Sequence, residues 1–112
     1  MTIHIVEDDP GVSDALALLL ASVGHETATY PDAESFFEET PPGERDTVIV
    51  DLGLPGLTGI QLIRWVKGLK NQPKVIAISG QSSRAIDSLL DGDTPDVLLR
   101  KPLQEEALLQ HL

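Results

Sequence analysis

The residues best suited to chemistry are acids. Glu7, Asp8 and Asp9 stand in a row behind Ile3-His4-Ile5-Val6, and Asp51 follows Val48-Ile49-Val50 directly. Two further polar groups close apolar runs in the same manner: Ser79-Gly80 after Val75 to Ile78, and Arg100-Lys101-Pro102 after Val97-Leu98-Leu99. If folding brings the carboxylates of Glu7, Asp8 and Asp51 together, they cannot all stay ionised unless a cation offsets them. Oxygen donors without His or Cys suit Mg²⁺, which takes one or two carboxylates and keeps several waters. With Lys101 opposite and the Ser79 hydroxyl beside it, such a cation would frame a pocket for a phosphoryl group. Asp51 is a weak nucleophile, but phosphoryl transfer depends mainly on alignment and on neutralising the oxygens.

The elements that must position these groups alternate along the chain. Short β-rich runs are Ile3 to Val6, Glu26 to Thr29, Thr47 to Val50, Val75 to Ile78 and Val97 to Leu99. Between them lie stretches of helical period. Val12, Ala15, Leu16, Leu19, Leu20 and Val23 form one apolar stripe at three- and four-residue steps. Asp9 before Pro10 reads as its N-cap with proline at the first helical position, and Gly24 as its end. Asp32 precedes a short helix with Phe36 and Phe37. Ile60, Ile63 and Val66 mark a third helix, Ile86, Leu89 and Leu90 a fourth, and Leu103 to Leu112 the start of a fifth. Runs that are apolar at successive positions, such as Val75-Ile76-Ala77-Ile78, belong to strands covered on both faces. Strands joined by helices of this length run parallel with right-handed crossovers. The expectation is an α/β fold, (βα)5, with a doubly wound five-stranded parallel sheet in the flavodoxin-like order 2-1-3-4-5. The exits of strands one, three, four and five then share one edge, where open α/β sheets place their ligands.

Composition narrows the functional classes. The 112 residues make one domain. The absence of cysteine excludes a disulfide framework and a thiolate metal site. Eight basic against 18 acidic residues give a net charge of −10, which argues against direct binding of nucleic acid or anionic membrane. No apolar run approaches the ~20 residues that span a bilayer, and Met1 to Pro10 lacks the basic start of a secretory signal. A cytoplasmic domain is the expectation. Gly53, Gly56 and Gly59 are spaced as neither a dinucleotide nor a P-loop glycine pattern, and His4, His25 and His111 are scattered. Trp65, beside the stripe of the third helix, is expected to be half-buried.

Four blocks, Val6 to Pro10, Val50 to Gly59, Ile78 to Gly80 and Arg100 to Pro102, resemble in order the signature blocks of the receiver domains of two-component response regulators. The likeness covers essentially the whole chain, 1–112. It implies that Glu7 and Asp8 hold Mg²⁺, with Asp8 the direct ligand, and that Asp51 is the phosphoacceptor and a further metal ligand. It also implies that the Gly53 carbonyl completes the metal shell, that Ser79 and Lys101 contact the phosphoryl group, and that the Lys101–Pro102 peptide is cis. The implied partners are a sensor histidine kinase or phosphotransfer protein as donor, a C-terminal DNA-binding output domain outside this chain, and a homodimer formed on phosphorylation. The only implied chemistry is phosphorylation and dephosphorylation of Asp51 itself, not turnover of a separate substrate. The fifth helix, about two turns long, reads as cut short of its usual length.

Two positions depart from the pattern. Leu98, three residues before Lys101, stands where the family carries Tyr or Phe, and Asp93 where a small apolar residue is usual. Both belong to the implied output face of the fourth helix, fifth strand and fifth helix, so coupling to output is expected to differ from the usual aromatic switch. The alternative reading is an atypical receiver that binds partners without phosphorylation. A phosphatase of the dehalogenase type would want a second acid two residues after the nucleophile, where Gly53 stands. The plainer roles are Asp51 capping a strand end, Asp9 capping the first helix, Ser79 forming a turn, and Lys101 lying solvated at the surface.

Overall fold

The computed structural model describes residues 2–38, 41–53, 59–80, 95–101 and 104–112. The strands are β1 (Thr2–Val6), β2 (Glu26–Tyr30), β3 (Thr47–Asp51), β4 (Lys74–Ser79) and β5 (Val97–Arg100). The helices are α1 (Pro10–Ser22), α2 (Ala33–Phe37), α3 (Gly59–Lys67) and a last helix, Glu105–Leu109. The strands pair in parallel in the order β2-β1-β3-β4-β5, as expected. The fourth helical stretch read from Ile86, Leu89 and Leu90, together with Gly92 and Asp93, lies outside the described residues. Among the described residues no helix is long and apolar enough to cross a membrane.

β1, β3 and β4 split their side chains between two cores, because successive residues point to opposite faces. Ile3, Ile5, Ile49, Ile76 and Ile78 face Leu16 and Leu20 of α1 and Leu108 of the last helix. Val6, Val48, Val50, Val75 and Ala77 face Ala33 and Phe36 of α2 and Ile60, Leu62, Ile63 and Val66 of α3. β3 is buried at every position, which is why its middle, Val48-Ile49-Val50, is apolar at successive positions. Half-buried Trp65 packs edge-on against Phe37, with ring centroids 4.9 Å apart.

The helix starts follow from local chemistry. Asp9 Oδ1 accepts the N–H of Gly11 at 2.9 Å and of Val12 at 3.4 Å, with Pro10 beginning the first turn of α1. Asp32 Oδ1 accepts the N–H of Ser35 at 2.7 Å at the start of α2. Gly24, at φ +92°, ends the first helical segment in the left-handed region that glycine enters without steric cost. The buried line of α1 is narrower than its apolar stripe. Ser13, Leu16 and Leu20 are buried, Ala15 is exposed, and Val23 lies beyond the helix with 49 % of its surface exposed. The last helix starts after Gln104, which places no side-chain cap on it.

The strands also run further toward the ligand edge than the β-rich runs suggest. Tyr30, Asp51, Ser79 and Arg100 are the final residues of β2, β3, β4 and β5. Asp51 and Ser79 are therefore held by the sheet itself, in register with Ile78 and Arg100 respectively.

Candidate functional site

Leaving β1, the chain keeps its hold on β2 for one more residue, as Glu7 N–H donates to the Tyr30 carbonyl at 3.0 Å. That bond turns the Glu7 side chain inward, where only 2 % of the residue is exposed. Its Oε1 accepts the N–H of Asp9 at 3.2 Å. Its Oε2 is buried and has no hydrogen-bond partner among the described residues. Asp8 is exposed at the mouth of the site, and Asp9 is occupied in capping α1. Asp51 closes β3 at 5 % exposure. Its Oδ1 accepts the N–H of Gly53 at 2.9 Å and its Oδ2 accepts from Lys101 Nζ at 3.1 Å. Lys101 reaches the same cleft from the exit of β5, with Nζ 3.8 Å from Glu7 Oε2.

Backbone bonds fix the neighbouring exits. Leu52 N–H donates to the Ile78 carbonyl at 2.9 Å, and Lys101 N–H to the Ser79 carbonyl at 2.8 Å. Ser79 is buried at the end of β4, 1 % exposed. The strands thus carry Glu7, Asp51, Ser79 and Lys101 to a common edge.

The charges at this edge do not balance. One oxygen from each of Glu7, Asp8 and Asp51 can be chosen so that all lie within 4.8 Å of one another. Among the described residues a single ammonium, that of Lys101, faces them. Burial, then the Asp51 charge and a hydrogen bond shared with it, push the Glu7 carboxyl up to about 7, against the opposing pull of the Asp9 N–H and Lys101. Burial disfavours the Lys101 ammonium, but its bond to Asp51 and the carboxylates of Asp51, Glu7 and Asp8 outweigh that and hold it above the ordinary lysine range. A divalent cation fits this donor set: it would meet the orphaned Glu7 oxygen, offset the excess negative charge, and find only hard oxygen donors. A groove of about 530 Å³ between α1 and the last helix opens beside Lys101. Its walls include Val12, Leu16, Leu19 and Leu108, which makes it largely apolar, unlike the acidic cleft.

Of the residues singled out from sequence, Glu7, Asp8, Asp51 and Lys101 are brought together, and Gly53 donates its N–H to the Asp51 carboxylate. Asp9 is the helix cap. Pro102, with the cis peptide read before it, and Leu54 to Thr58 lie outside the described residues. Leu98 alternates away from Val97 and Leu99, which pack on the α1 core, and keeps 36 % of its surface exposed. Sequence reading gave no role to Asp46, which precedes β3 and gathers three hydrogen bonds, or to Gly59, whose contact with Asp51 needs three-dimensional proximity to be seen.

Comparison with known proteins agrees with this geometry. The family model of the response regulator receiver domain matches residues 3–112. The transcriptional regulatory protein FixJ of Azorhizobium caulinodans is 25 % identical over 111 residues, which are 97 % of this chain and 52 % of that protein. The two-component response regulator PhoP of Pseudomonas aeruginosa is 32 % identical over 110 residues, 96 % of this chain and 48 % of its own. The chain thus spans about half the length of these curated relatives. Among solved structures, the BeF3-activated DrrB receiver domain superposes with a TM-score of 0.86 at 22 % identity, covering 98 % of this chain and 92 % of that one, and shares the fold. With its strand order, its acidic edge and a family match running from the first strand to the final residue, the chain belongs to the response regulator receiver domain family, the phosphorelay signalling modules of two-component systems.

Proposed function

We propose that this domain accepts a phosphoryl group on Asp51 from a phosphohistidine of a sensor histidine kinase or phosphotransfer protein. The carrying observation is the charge imbalance: three carboxylates converge on one lysine, and a buried Glu7 oxygen is left without a hydrogen-bond partner among the described residues. Glu7, Asp8 and Asp51, with the Gly53 carbonyl, would hold Mg²⁺. When bound, the ion supplies positive charge against the acceptor carboxylate and the incoming phosphoryl oxygens. In the transfer, an Asp51 carboxylate oxygen forms a bond to phosphorus, and the phosphorus–nitrogen bond of the donor breaks with its electron pair returning to the imidazole. Lys101 Nζ, already on Asp51 Oδ2, stays on the acceptor side and pairs with a phosphoryl oxygen. Ser79 offers its hydroxyl to another. Hydrolysis of the acyl phosphate resets the switch, so Asp51 cycles without turnover of a separate substrate.

The wider reading follows from the family and from relatives about twice as long. Residues 1–112 form the receiver part of a regulator that acts in the cytoplasm, a DNA-binding output domain continues beyond Leu112, and phosphorylation favours a homodimer. Exposed Leu98 on β5 carries less area than the family's aromatic, so the change in the output face is smaller or runs through residues 80–83 and the fourth helical stretch read from the sequence. The direct test is phosphorylation by acetyl phosphate with Mg²⁺, followed by intact mass. Wild type gains one phosphoryl group and Asp51→Asn gains none. Undiminished labelling of Asp51→Asn would remove Asp51 as acceptor, and an unlabelled wild type would favour a receiver that works without phosphorylation.

A further inference from the structure

Gly59 opens α3 and is buried. A Cβ built on it would stand 2.6 Å from the Asp51 carbonyl oxygen, 2.9 Å from Leu52 Cα and 3.2 Å from the Asp51 carbonyl carbon. All three obstacles are backbone, and all belong to the peptide that carries the acceptor. A crowding side chain could rotate away; a hydrogen-bonded backbone at the end of a strand can only shift as a whole. Gly59 is thus the point where α3 rests directly on the Asp51–Leu52 peptide.

Both bodies are held, the helix more firmly than the strand end. α3 is seated by Ile60, Leu62, Ile63 and Val66, all buried in the core it shares with β3 and β4. Asp51 is held from the other side by its register with Ile78 and by the Leu52 N–H bond to the Ile78 carbonyl. Relieving the closest contact to an ordinary 3.4 Å needs about 0.8 Å of movement. The strand exit carries only one residue of Asp51 backbone beyond Val50, so it yields more readily than a four-residue helix seat.

We propose that Gly59 is a positioning residue for phosphoryl acceptance: its missing side chain sets how closely α3 abuts the Asp51 peptide, and through it where the acceptor carboxylate stands relative to Glu7, Asp8 and Lys101. The inference rests on Asp51 being the acceptor. Its chemical weight comes from the steepness of alignment, since a misplacement on the order of 1 Å costs about 100-fold in rate.

The test compares wild type, Gly59→Ala and Ile63→Val in the whole chain. Ile63→Val trims a methyl from the same helix seat without adding an atom near Asp51. Three quantities are read: the labelling rate with acetyl phosphate at saturating Mg²⁺, the Mg²⁺ concentration for half-maximal rate, and the urea midpoint. Under conditions where all three proteins are folded, Gly59→Ala labels at least tenfold more slowly at saturating Mg²⁺. Ile63→Val keeps the wild-type rate although its urea midpoint falls. Equal rates in Gly59→Ala and wild type, or equal losses in the two variants, would overturn the proposal. If Gly59→Ala does not fold, amide shifts of the wild type on adding beryllofluoride with Mg²⁺ decide. A Gly59 shift as large as those of Leu52 and Gly53 supports the contact, and an unmoved Gly59 beside shifted Leu52 and Gly53 overturns it. A wild type that takes no label fails in its own arm, which marks the loss of the acceptor reading and not of the contact alone.

Discussion

Asp46 and Asp51 bracket one strand, and their surroundings are opposite. Asp46, just before β3, has each oxygen answered. Oδ1 accepts the Thr2 N–H at 2.9 Å, and Oδ2 accepts the Gly43 N–H at 3.1 Å and pairs with His4 Nε2 at 3.0 Å. Burial works against its ionised form, but the bonds from His4, Thr2 and Gly43 outweigh it and hold Asp46 below the usual carboxylate range. At the other end of β3, Asp51 shares one lysine with Glu7 and Asp8, and Glu7 is pushed up to about 7. A half-buried carboxylate with full hydrogen bonding ties structure together. A group of carboxylates short of positive charge is unfinished without a ligand. The same residue type thus serves as a fastening at one pole of the sheet and stands in an unbalanced acidic cluster at the other.

The contrast can be broken from either end. The largest effect is expected at the balanced pole. Asp46→Ala leaves two backbone N–H groups and a His4 nitrogen without their acceptor and lowers stability by about 3 kcal/mol. Urea unfolding followed by the Trp65 fluorescence measures this, while Mg²⁺-dependent labelling of the folded fraction stays at the wild-type level. A stability loss under about 0.5 kcal/mol, the size of an ordinary surface change, would show that the hub is not a fastening.

The linkage to pH has opposite signs at the two poles. Asp46 titrates below its unfolded value, so its contribution is present above about pH 4 and is lost as pH falls through its folded value. Glu7 titrates above its unfolded value of 4.5, so its contribution is complete below that value and is lost as pH rises through about 7. Without divalent cations, stability is therefore expected to fall by up to about 2 kcal/mol between pH 5 and 8. Glu7→Gln flattens that slope, and added Mg²⁺ reverses it. A Mg²⁺-free stability that rises across the same interval would mean that Glu7 is not held protonated by its neighbours.

A smaller effect separates adjacent acids. Asp8 belongs to the converging set and Asp9 caps α1. Asp8→Ala is expected to weaken Mg²⁺ binding by tenfold or more, about 1.4 kcal/mol. Asp9→Ala is expected to lower the melting temperature by about 1 kcal/mol worth of stability and to change Mg²⁺ affinity less than threefold. Metal titration of the two variants decides, and equal losses of affinity would place Asp9 in the metal site.

Much of the site was legible because its parts are local signals. A polar or charged residue closing an apolar run marks a strand exit, and four such exits in the right order, at Glu7, Asp51, Ser79 and Arg100-Lys101, locate a shared edge. Asp9-Pro10 announced the start of α1 and Asp32 that of α2 for the same reason, since caps are settled within a few residues. Asp46 was not legible. Its donors Thr2 and His4 come from 44 and 42 residues away, and nothing near Asp46 distinguishes it from a surface acid. Val23 joined the stripe of α1 by spacing, but the helix ends at Ser22 before reaching it. The isolation of Glu7 Oε2 and the contact of Gly59 with the Asp51 peptide depend on distances between elements, which no spacing rule contains.

We propose that the unbalanced acids at the exits of β1 and β3 make Asp51, and not Asp46, the phosphoryl acceptor. It is tested most directly by locating the label in the wild-type protein. After treatment with acetyl phosphate and Mg²⁺, borohydride reduction of the acyl phosphate and peptide mapping, the modified residue is expected to be Asp51 alone, with Asp46 untouched and the modification gone when EDTA replaces Mg²⁺. A label on another residue, or one of equal extent in EDTA, would contradict the account.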